Sequence, residues 1–116
     1  MKPTELIVTI GREKPAADVA LVGPGANTVS RKHAALSKTT TPGTYTLADL
    51  GSSNGTFVYA DGRWLPVTKV RVDRNTKVRF GQFATSVAEI VDTYNKGVTN
   101  AIYRNPVTGE IINNSL

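Results

Sequence analysis

Apolar residues alternate with polar ones in short runs along most of the chain, and this period of two is typical of half-buried β-strands. The runs cover residues 6–10, 19–22, 33–37, 45–50, 56–59, 64–68, 69–72, 77–80 and 85–91. Turn-forming sequences separate many of them, such as those at residues 23–25, 41–43, 61–62 and 73–76. Because no stretch of useful length has a helical period, the pattern predicts an all-β chain folded as an antiparallel β-sandwich.

The composition changes after Val91, and we use this change to divide the chain into two predicted parts. Residues 1–91 contain the strands of the sandwich, whereas residues 92–116 form an asparagine-rich C-terminal appendage. Within the appendage, residues 101–103 and 110–112 predict a second hairpin. Two interpretations stay open: the hairpin packs on the sandwich in place of trimmed N-terminal strands, or the appendage is a linker.

Residues 67–80 predict a hairpin with one apolar face and one basic face. The basic face would hold four cations, namely Lys69, Arg71, Lys77 and Arg79. Such a face usually is a solvated surface that discourages edge aggregation, but it also suits nucleic acid. Since no aromatic residue alternates with these cations to stack on bases, the pattern argues against a nucleic-acid partner.

Composition and charge exclude several function classes. The length of 116 residues suits one domain. With no cysteine and one histidine, the chain offers no disulfide framework and no familiar zinc site, so we expect neither metal nor cofactor. No apolar run approaches the roughly 20 residues that cross a bilayer, and no signal peptide is visible, which predicts a cytoplasmic protein without a membrane partner. The net charge of +5 favours an anionic partner.

Catalytic motifs in the sequence are weak. His33 follows Ser30 by three residues, and Asp49 is a conceivable orienting group. A lone histidine that enters an apolar strand is, however, more often a hydrogen-bonded structural residue. The stretch 23–28 lacks the third glycine of a dinucleotide-binding fingerprint, and the stretch 51–56 lacks the lysine of a P-loop. The chain is therefore not expected to be an enzyme.

Polar donors stand at the ends of several predicted strands. Gly11 and Arg12 close the first strand, residues 30–32 precede another, and residues 53–55 lie in a loop too large for a simple hairpin turn. If these ends meet at one pole of a sandwich, they form a basic platform rich in hydrogen-bond donors. A phosphomonoester suits such a platform, because it carries about −1.5 to −2 charges at pH 7 and three acceptor oxygens.

Four ordered segments resemble the forkhead-associated (FHA) domain in spacing and residue type. They are GR at 11–12, SRKHA at 30–34, LADLGSSNGTFV at 47–58 and VRFG at 78–81, and the resemblance covers roughly residues 5–91. It implies an eleven-stranded β-sandwich whose loops at one end bind phosphothreonine in an extended peptide. A protein of this family is a recognition module for phosphorylation-dependent protein–protein interaction in signalling, and it needs no catalytic residue or cofactor.

The resemblance also implies roles for single residues. Those implied to bind the phosphopeptide are Arg12, Ser30, Arg31, Lys32, Ser53 and Asn54. Those implied to support the site are Gly11, His33 and Gly55. Arg12 and Ser30 would contact the phosphate, Ser53 would contact the phosphate or the wall of the threonine pocket, and Asn54 would hydrogen-bond the peptide main chain.

Two alternatives concern the partner. A divergent adaptor of the same fold would bind its partner without phosphate, although the joint presence of Arg12, Ser30 and Asn54 argues against this. In the second alternative, Thr108 is itself phosphorylated, and the chain's own tail occupies the site. The expected partner is otherwise a threonine-phosphorylated protein or peptide.

Overall fold

The structure is a computed structural model that describes residues 7–13, 17–96, 101–104 and 111–112. Within these ranges the chain forms eleven strands and one α-helix, α1 (Val87–Lys96). The strands are β1 (Ile7–Gly11), β2 (Val19–Val22), β3 (Ala34–Lys38), β4 (Thr44–Asp49), β5 (Thr56–Ala60), β6 (Arg63–Val67), β7 (Lys69–Asp73), β8 (Lys77–Phe80), β9 (Phe83–Ser86), β10 (Ala101–Arg104) and β11 (Ile111–Ile112). From β1 to β8 the strands lie within one residue of the predicted runs.

The strands form two sheets that pack face to face. The larger sheet has the order β11-β10-β2-β1-β3-β4-β7, and the smaller one has the order β6-β5-β8-β9. Most neighbouring strands are antiparallel, whereas β2 runs parallel to both β1 and β10. This architecture confirms the predicted β-sandwich.

The hydrophobic core lies between the inward faces of the two sheets. Leu36 and Leu47 face inward from the larger sheet, and Val78 and Phe80 face inward from the smaller one, and all four are buried. Burial of a side chain of this size contributes about 1.5 to 3 kcal/mol relative to exposure. The alternation of buried and exposed residues along each strand therefore fixes which faces pack, and it leaves the strand ends free to carry loops.

The prediction of a strand over residues 85–91 is wrong from Val87 onward, because α1 begins there. The hydroxyl oxygen of Ser86 accepts the backbone N–H of Glu89 at 3.2 Å, which caps the first turn of the helix. Val87, Ile90 and Val91 are buried on one side of α1 at the spacing of a helix face. The sequence signal was the serine followed three residues later by glutamate, which resembles a capping box.

The predicted hairpin at residues 67–80 is also wrong. Strand β7 pairs with β4 in the larger sheet, whereas β8 pairs with β5 in the smaller one. Lys69 and Arg71 thus lie on the outer face of one sheet, and Lys77 and Arg79 lie on the outer face of the other. The alternation marked the buried side of each strand correctly, but it carries no information about which strand is the neighbour. Nucleic-acid binding through a shared basic hairpin face loses its geometric basis.

Two short C-terminal strands extend one edge of the larger sheet. Strand β10 pairs in parallel with β2, and β11 pairs in antiparallel fashion with β10. Ile102 of β10 is buried in the core. The segment 105–110, which includes Thr108 and Glu110, lies outside the described residues. The division of the chain at residue 91 stays a prediction.

Candidate functional site

Loops from both sheets meet at one pole of the sandwich, where they surround a cavity of about 330 Å³. Its lining residues are Arg12, Asn27, Thr28, Val29, Ser30, Arg31, Ser53 and Asn54. Five of the six residues predicted to bind a phosphopeptide thus share one cavity, whereas Lys32 is exposed and is not among the lining residues. Because the lining includes two arginines and, among the residues that the structure describes, no carboxylate, the cavity favours an anion.

The first wall of the cavity forms where β1 ends. A Cβ atom at Gly11 would stand 1.8 Å from the carbonyl oxygen of Arg31, so only glycine permits these two segments to approach so closely. The backbone N–H of Arg12 donates to the carbonyl oxygen of Ser30 at 3.0 Å. Its Nη1 donates to the carbonyl oxygen of Val29 at 3.2 Å. One edge of the guanidinium is therefore anchored, and this orients the remaining donors.

Ser30 connects two of the loops that line the cavity. Its hydroxyl oxygen accepts the backbone N–H of Ser53 at 3.1 Å. A serine hydroxyl has one proton to donate besides its acceptor lone pairs, and the bond from Ser53 does not use that proton. Ser30 can therefore hold the neighbouring loop and donate to an anion in the cavity at the same time.

His33 is fully buried and bridges the same loops from behind. Its Nδ1 accepts the backbone N–H of Ser30 at 3.0 Å, and its Nε2 donates to the carbonyl oxygen of Gly55 at 2.8 Å. Burial lowers the pKa of His33, against the opposing effects of the Gly55 carbonyl and the Asp49 charge, so the neutral ring fits this pattern. Because backbone groups occupy both ring nitrogens, His33 does not activate the Ser30 hydroxyl as a base.

Asp49 organises the loop between β4 and β5, and the sequence analysis gave it no such role. Its Oδ2 accepts the backbone N–H groups of Gly51 and Ser52 at 2.9 and 3.1 Å. Its Oδ1 accepts the hydroxyls of Ser52 and Thr56 at 2.5 and 2.7 Å. Burial raises the pKa of Asp49, but these hydrogen bonds outweigh burial and hold the pKa below its ordinary value of 3.8.

The sequence did contain a signal for this role of Asp49. Aspartate side chains commonly bond backbone N–H groups two or three residues ahead, which nucleates compact turns. The Ser52 hydroxyl oxygen extends the network, because it also accepts the N–H of Gly55 at 3.0 Å. Gly51 and Gly55 both have positive φ angles, 81° and 89°. The oversized loop is therefore a compact structure wound around one carboxylate.

Asn54 is oriented by the segment 23–28, for which the sequence predicts no role in the site. Its Nδ2 donates to the carbonyl oxygen of Thr28 at 2.7 Å. The Thr28 hydroxyl in turn donates to the carbonyl oxygen of Gly25 at 2.6 Å and accepts the N–H of Gln82 at 2.7 Å. Asn27, Thr28 and Val29 thus belong to the cavity wall. The stretch 23–28 resembles the start of a nucleotide-binding motif, and no local pattern marks it as part of a polar pole.

The described chain also lacks two features of other protein classes. Within residues 7–13, 17–96, 101–104 and 111–112, no helix combines the length and the apolar character that a membrane crossing requires. Across those same residues, no cluster of three or more His, Cys, Asp or Glu side chains is suited to a metal ion.

Fold and site together define a β-sandwich that presents a basic, donor-rich cavity on the loops at one pole. A sequence profile of the FHA domain matches residues 8–81, which is well over half of the chain. The protein therefore belongs to the FHA domain family. Members of this family are interaction modules and not enzymes. No curated protein matches the sequence.

Solved structures of FHA domains are similar to this chain. The FHA domain of CT664 from Chlamydia trachomatis is 24% identical, with a TM-score of 0.54 over 68% of this chain and 72% of that one. The FhaA FHA domain, solved in complex with the intracellular domain of Rv3910, is 29% identical, with a TM-score of 0.51 over 71% and 79%. An FHA domain studied for its phosphothreonine-dependent interactions is 30% identical, with a TM-score of 0.51 over 69% and 73%.

Proposed function

We propose that this domain binds a threonine-phosphorylated protein or peptide at the polar cavity. The observation that carries the proposal is the convergence of Arg12, Ser30 and Arg31 on one cavity, where the described part of the chain contributes no carboxylate to the lining. A phosphate dianion requires guanidinium charge together with hydroxyl donors, and bonds between ionised partners are about twice as strong as neutral ones. An unphosphorylated threonine would leave this concentration of charge without a counterpart.

Different residues of the cavity contact different parts of the phosphothreonine. The free edge of the Arg12 guanidinium and the Ser30 hydroxyl proton contact phosphate oxygens. Arg31 adds charge, and Ser53 contacts the phosphate or the wall around the threonine methyl. Lys32, which is exposed, acts at longer range by attracting the anion.

Asn54 recognises the peptide main chain. Its amide nitrogen is anchored to Thr28, whereas its Oδ1 has no hydrogen-bond partner among the described residues. An amide held in this way can accept from, and donate to, the main chain beside the phosphothreonine. Gly11, His33 and Gly55 serve this arrangement indirectly, because they set the distance between the loops that carry Arg12, Ser30 and Asn54.

Two of the similar structures support the proposal. One is an FHA domain in complex with another protein, and the other comes from work on phosphothreonine-dependent FHA interactions. Both are close to 30% identical to this chain over about 70% of its length. The alternative ligand is phosphorylated Thr108 in the chain's own tail. Thr108 lies outside the described residues, so its binding to the cavity stays a prediction.

Replacing Arg12 with alanine tests the proposal. Truncating one partner of a hydrogen-bonded charge pair costs about 2 to 5 kcal/mol, so affinity for a labelled phosphothreonine peptide should fall by roughly 30-fold or more. Fluorescence anisotropy would measure this fall. Arg71→Ala is the matched control, because Arg71 is exposed on the outer face of the larger sheet.

Two outcomes would contradict the proposal. Unchanged affinity of Arg12→Ala for the phosphopeptide would mean that the phosphate does not bind in the cavity. Equal affinity of the wild-type domain for the phosphorylated and unphosphorylated peptides would favour an adaptor that binds without phosphate.

A further inference from the structure

The outer face of the smaller sheet carries an unusual set of side chains. Cross-strand pairing aligns Phe57 with Arg79 and with Pro66, and it aligns Tyr59 with Trp64. We call the surface formed by these residues and Lys77 the aromatic face. The equivalent outer positions of the larger sheet carry small or polar residues instead, such as Ala35, Ser37 and Thr46. The solvated outer faces of a sandwich normally carry small or polar residues of this kind.

The aromatic face is held together by its own contacts. The guanidinium of Arg79 lies 4.2 Å from the centre of the Phe57 ring and 5.2 Å from the centre of the Trp64 ring. Tyr59 meets Trp64 edge to face, with ring centres 5.2 Å apart. Tyr59 is nevertheless 44% exposed. Tryptophan, tyrosine and arginine are the residues most enriched among those that dominate binding energy at protein interfaces.

The electrostatics of the aromatic face are one-sided. Strands β5, β6, β8 and β9 contain no aspartate or glutamate. Within the described residues, neither Lys77 nor Arg79 has a carboxylate oxygen within 4.0 Å. A segment with acidic side chains would provide the missing counter-charges, so charge complementarity selects an acidic occupant.

The aromatic face is continuous with the polar cavity. Phe57 follows Asn54 by three residues, and its ring lies 3.2 Å from the position that a Cβ atom at Gly55 would occupy. Arg79 stands opposite Phe57 in the register of β5 and β8. A polypeptide that hydrogen-bonds Asn54 at the cavity therefore reaches the aromatic face after passing Gly55. Strand β5 has five residues, or roughly 17 Å, so about eight extended residues are enough to cross it.

We propose that the aromatic face binds an acidic segment of the same partner protein whose phosphothreonine occupies the cavity. This inference rests on the proposed function, and it defines the partner further as a phosphothreonine flanked, on one side, by acidic residues. The segment places its carboxylates beside Lys77 and Arg79, and its apolar side chains or stems pack on Tyr59 and Trp64.

Single-stranded nucleic acid is the other polyanion that combines charge with planar groups. Its bases need open ring faces on which to stack. In the aromatic face, Arg79 already covers Phe57 and approaches Trp64, and the edge of Tyr59 packs against Trp64. The surface therefore offers cations and ring edges rather than an open stacking platform, which favours a polypeptide.

The test uses phosphothreonine peptides without tryptophan that differ only in an extension of about eight residues. One pair carries aspartate and glutamate on the N-terminal or C-terminal side, and a matched pair carries asparagine and glutamine. Trp64 is the only tryptophan of the chain, so its fluorescence reports directly on the aromatic face. Anisotropy of a label on the peptide reports total binding.

The protein variants distinguish binding at the aromatic face from a general effect of the protein's net charge. Lys77→Gln/Arg79→Gln neutralises the aromatic face, and Lys69→Gln/Arg71→Gln removes the same charge from the outer face of the other sheet. We expect one acidic extension to raise affinity roughly fivefold over its neutral match and to change the Trp64 emission. The aromatic-face variant should lose both effects, and the control variant should keep them. If the double variant does not fold, Lys77→Gln alone can replace it, because this substitution changes an exposed side chain. The single variant should lose part of the gain in affinity.

Each contrary outcome has a separate meaning. If acidic and neutral peptides bind with equal affinity, the inference is overturned while the phosphothreonine site stands. The same conclusion follows if the gain in affinity survives in the aromatic-face variant, or if it disappears equally in the control variant. If even the neutral phosphopeptide fails to bind the wild-type domain, the proposed function itself fails. A Trp64 response to a single-stranded oligonucleotide, without one to the acidic peptides, would assign the face to nucleic acid and overturn the inference.

Discussion

Replacing Asp49 with alanine should damage the phosphopeptide site without touching any residue that lines it. The Asp49 carboxylate accepts three hydrogen bonds from the loop between β4 and β5 and a fourth from the hydroxyl of Thr56, the first residue of β5. In the alanine variant this loop loses the group around which it folds. Ser53 and Asn54 would then no longer be held at the cavity.

The size of the effect follows from the partners of Asp49. Water can replace the carboxylate at the exposed N–H of Gly51, so the two hydroxyl bonds matter most, and that of the buried Thr56 above all. At about 1 to 1.5 kcal/mol for each of these two bonds, the variant should lose about 2 to 3 kcal/mol of unfolding free energy. For a domain of this size, this corresponds to a fall in the unfolding midpoint on the order of 10 °C.

The effect of Asp49 should also depend on pH. Its pKa in the folded state is lower than 3.8, so the ionised form stabilises the fold. This stabilisation is fully present above the unfolded pKa of about 3.8, and it is lost as the pH falls from there through the lower folded pKa. The difference between wild type and Asp49→Ala should therefore be constant near neutral pH and should shrink below pH 3.8.

Thermal unfolding followed by circular dichroism, together with phosphopeptide anisotropy, would measure both consequences. We expect affinity to fall about tenfold, which corresponds to about 1.4 kcal/mol, because a loop without its anchor has to be ordered when the peptide binds. Asp49→Asn is the matched variant, because it keeps one acceptor oxygen and the shape of the side chain. Its unfolding midpoint and its affinity should lie between those of the wild type and Asp49→Ala. The reasoning is refuted if Asp49→Ala unfolds at the wild-type midpoint and binds with wild-type affinity.

Three further predictions test the support of the site, its pocket and the C-terminal strands. Gly11→Ala places a Cβ atom 1.8 Å from the Arg31 carbonyl oxygen, so calorimetry should show a midpoint several degrees lower, and a wild-type midpoint would contradict this. A phosphothreonine peptide should bind roughly fourfold more tightly than its phosphoserine match, because one buried methyl contributes about 0.8 kcal/mol, and equal affinities would rule this out. Deleting residues 97–116 removes β10 and β11 from the edge of β2, and it should lower the midpoint by several degrees; unchanged stability and solubility would speak against packing of this segment.

Much of the fold could be predicted because the relevant signals are local. Alternation of apolar and polar residues marked the strands from β1 to β8 within one residue, since burial of one face acts on each strand separately. The helix was missed because its apolar spacing was short and overlapped a β-branched run. Its cap at Ser86 was visible in the sequence, but only the packing of Ile90 against the core shows that the helix forms.

The candidate site could be predicted in part for a different reason. The segments that contain Arg12, Ser30 and Asn54 resembled a known family, and the residues within each motif are adjacent in sequence. Asn27 and Thr28 belong to the same cavity, but nothing in their own stretch distinguishes them from an ordinary turn. The role of Thr28 depends on its hydrogen bond to Asn54, which lies 26 residues further along the chain.

The sequence alone thus determined which face of each strand is buried and which residue types stand at the strand ends. Only the tertiary structure decided which strands are neighbours. It separated Lys69 and Arg71 from Lys77 and Arg79, and it placed Arg79 between Phe57 and Trp64. The physical reason is that side-chain burial depends on local alternation, whereas strand pairing depends on backbone hydrogen bonds between segments far apart in sequence. The backbone groups that make these bonds are nearly the same in all strands, so they do not identify the partner strand.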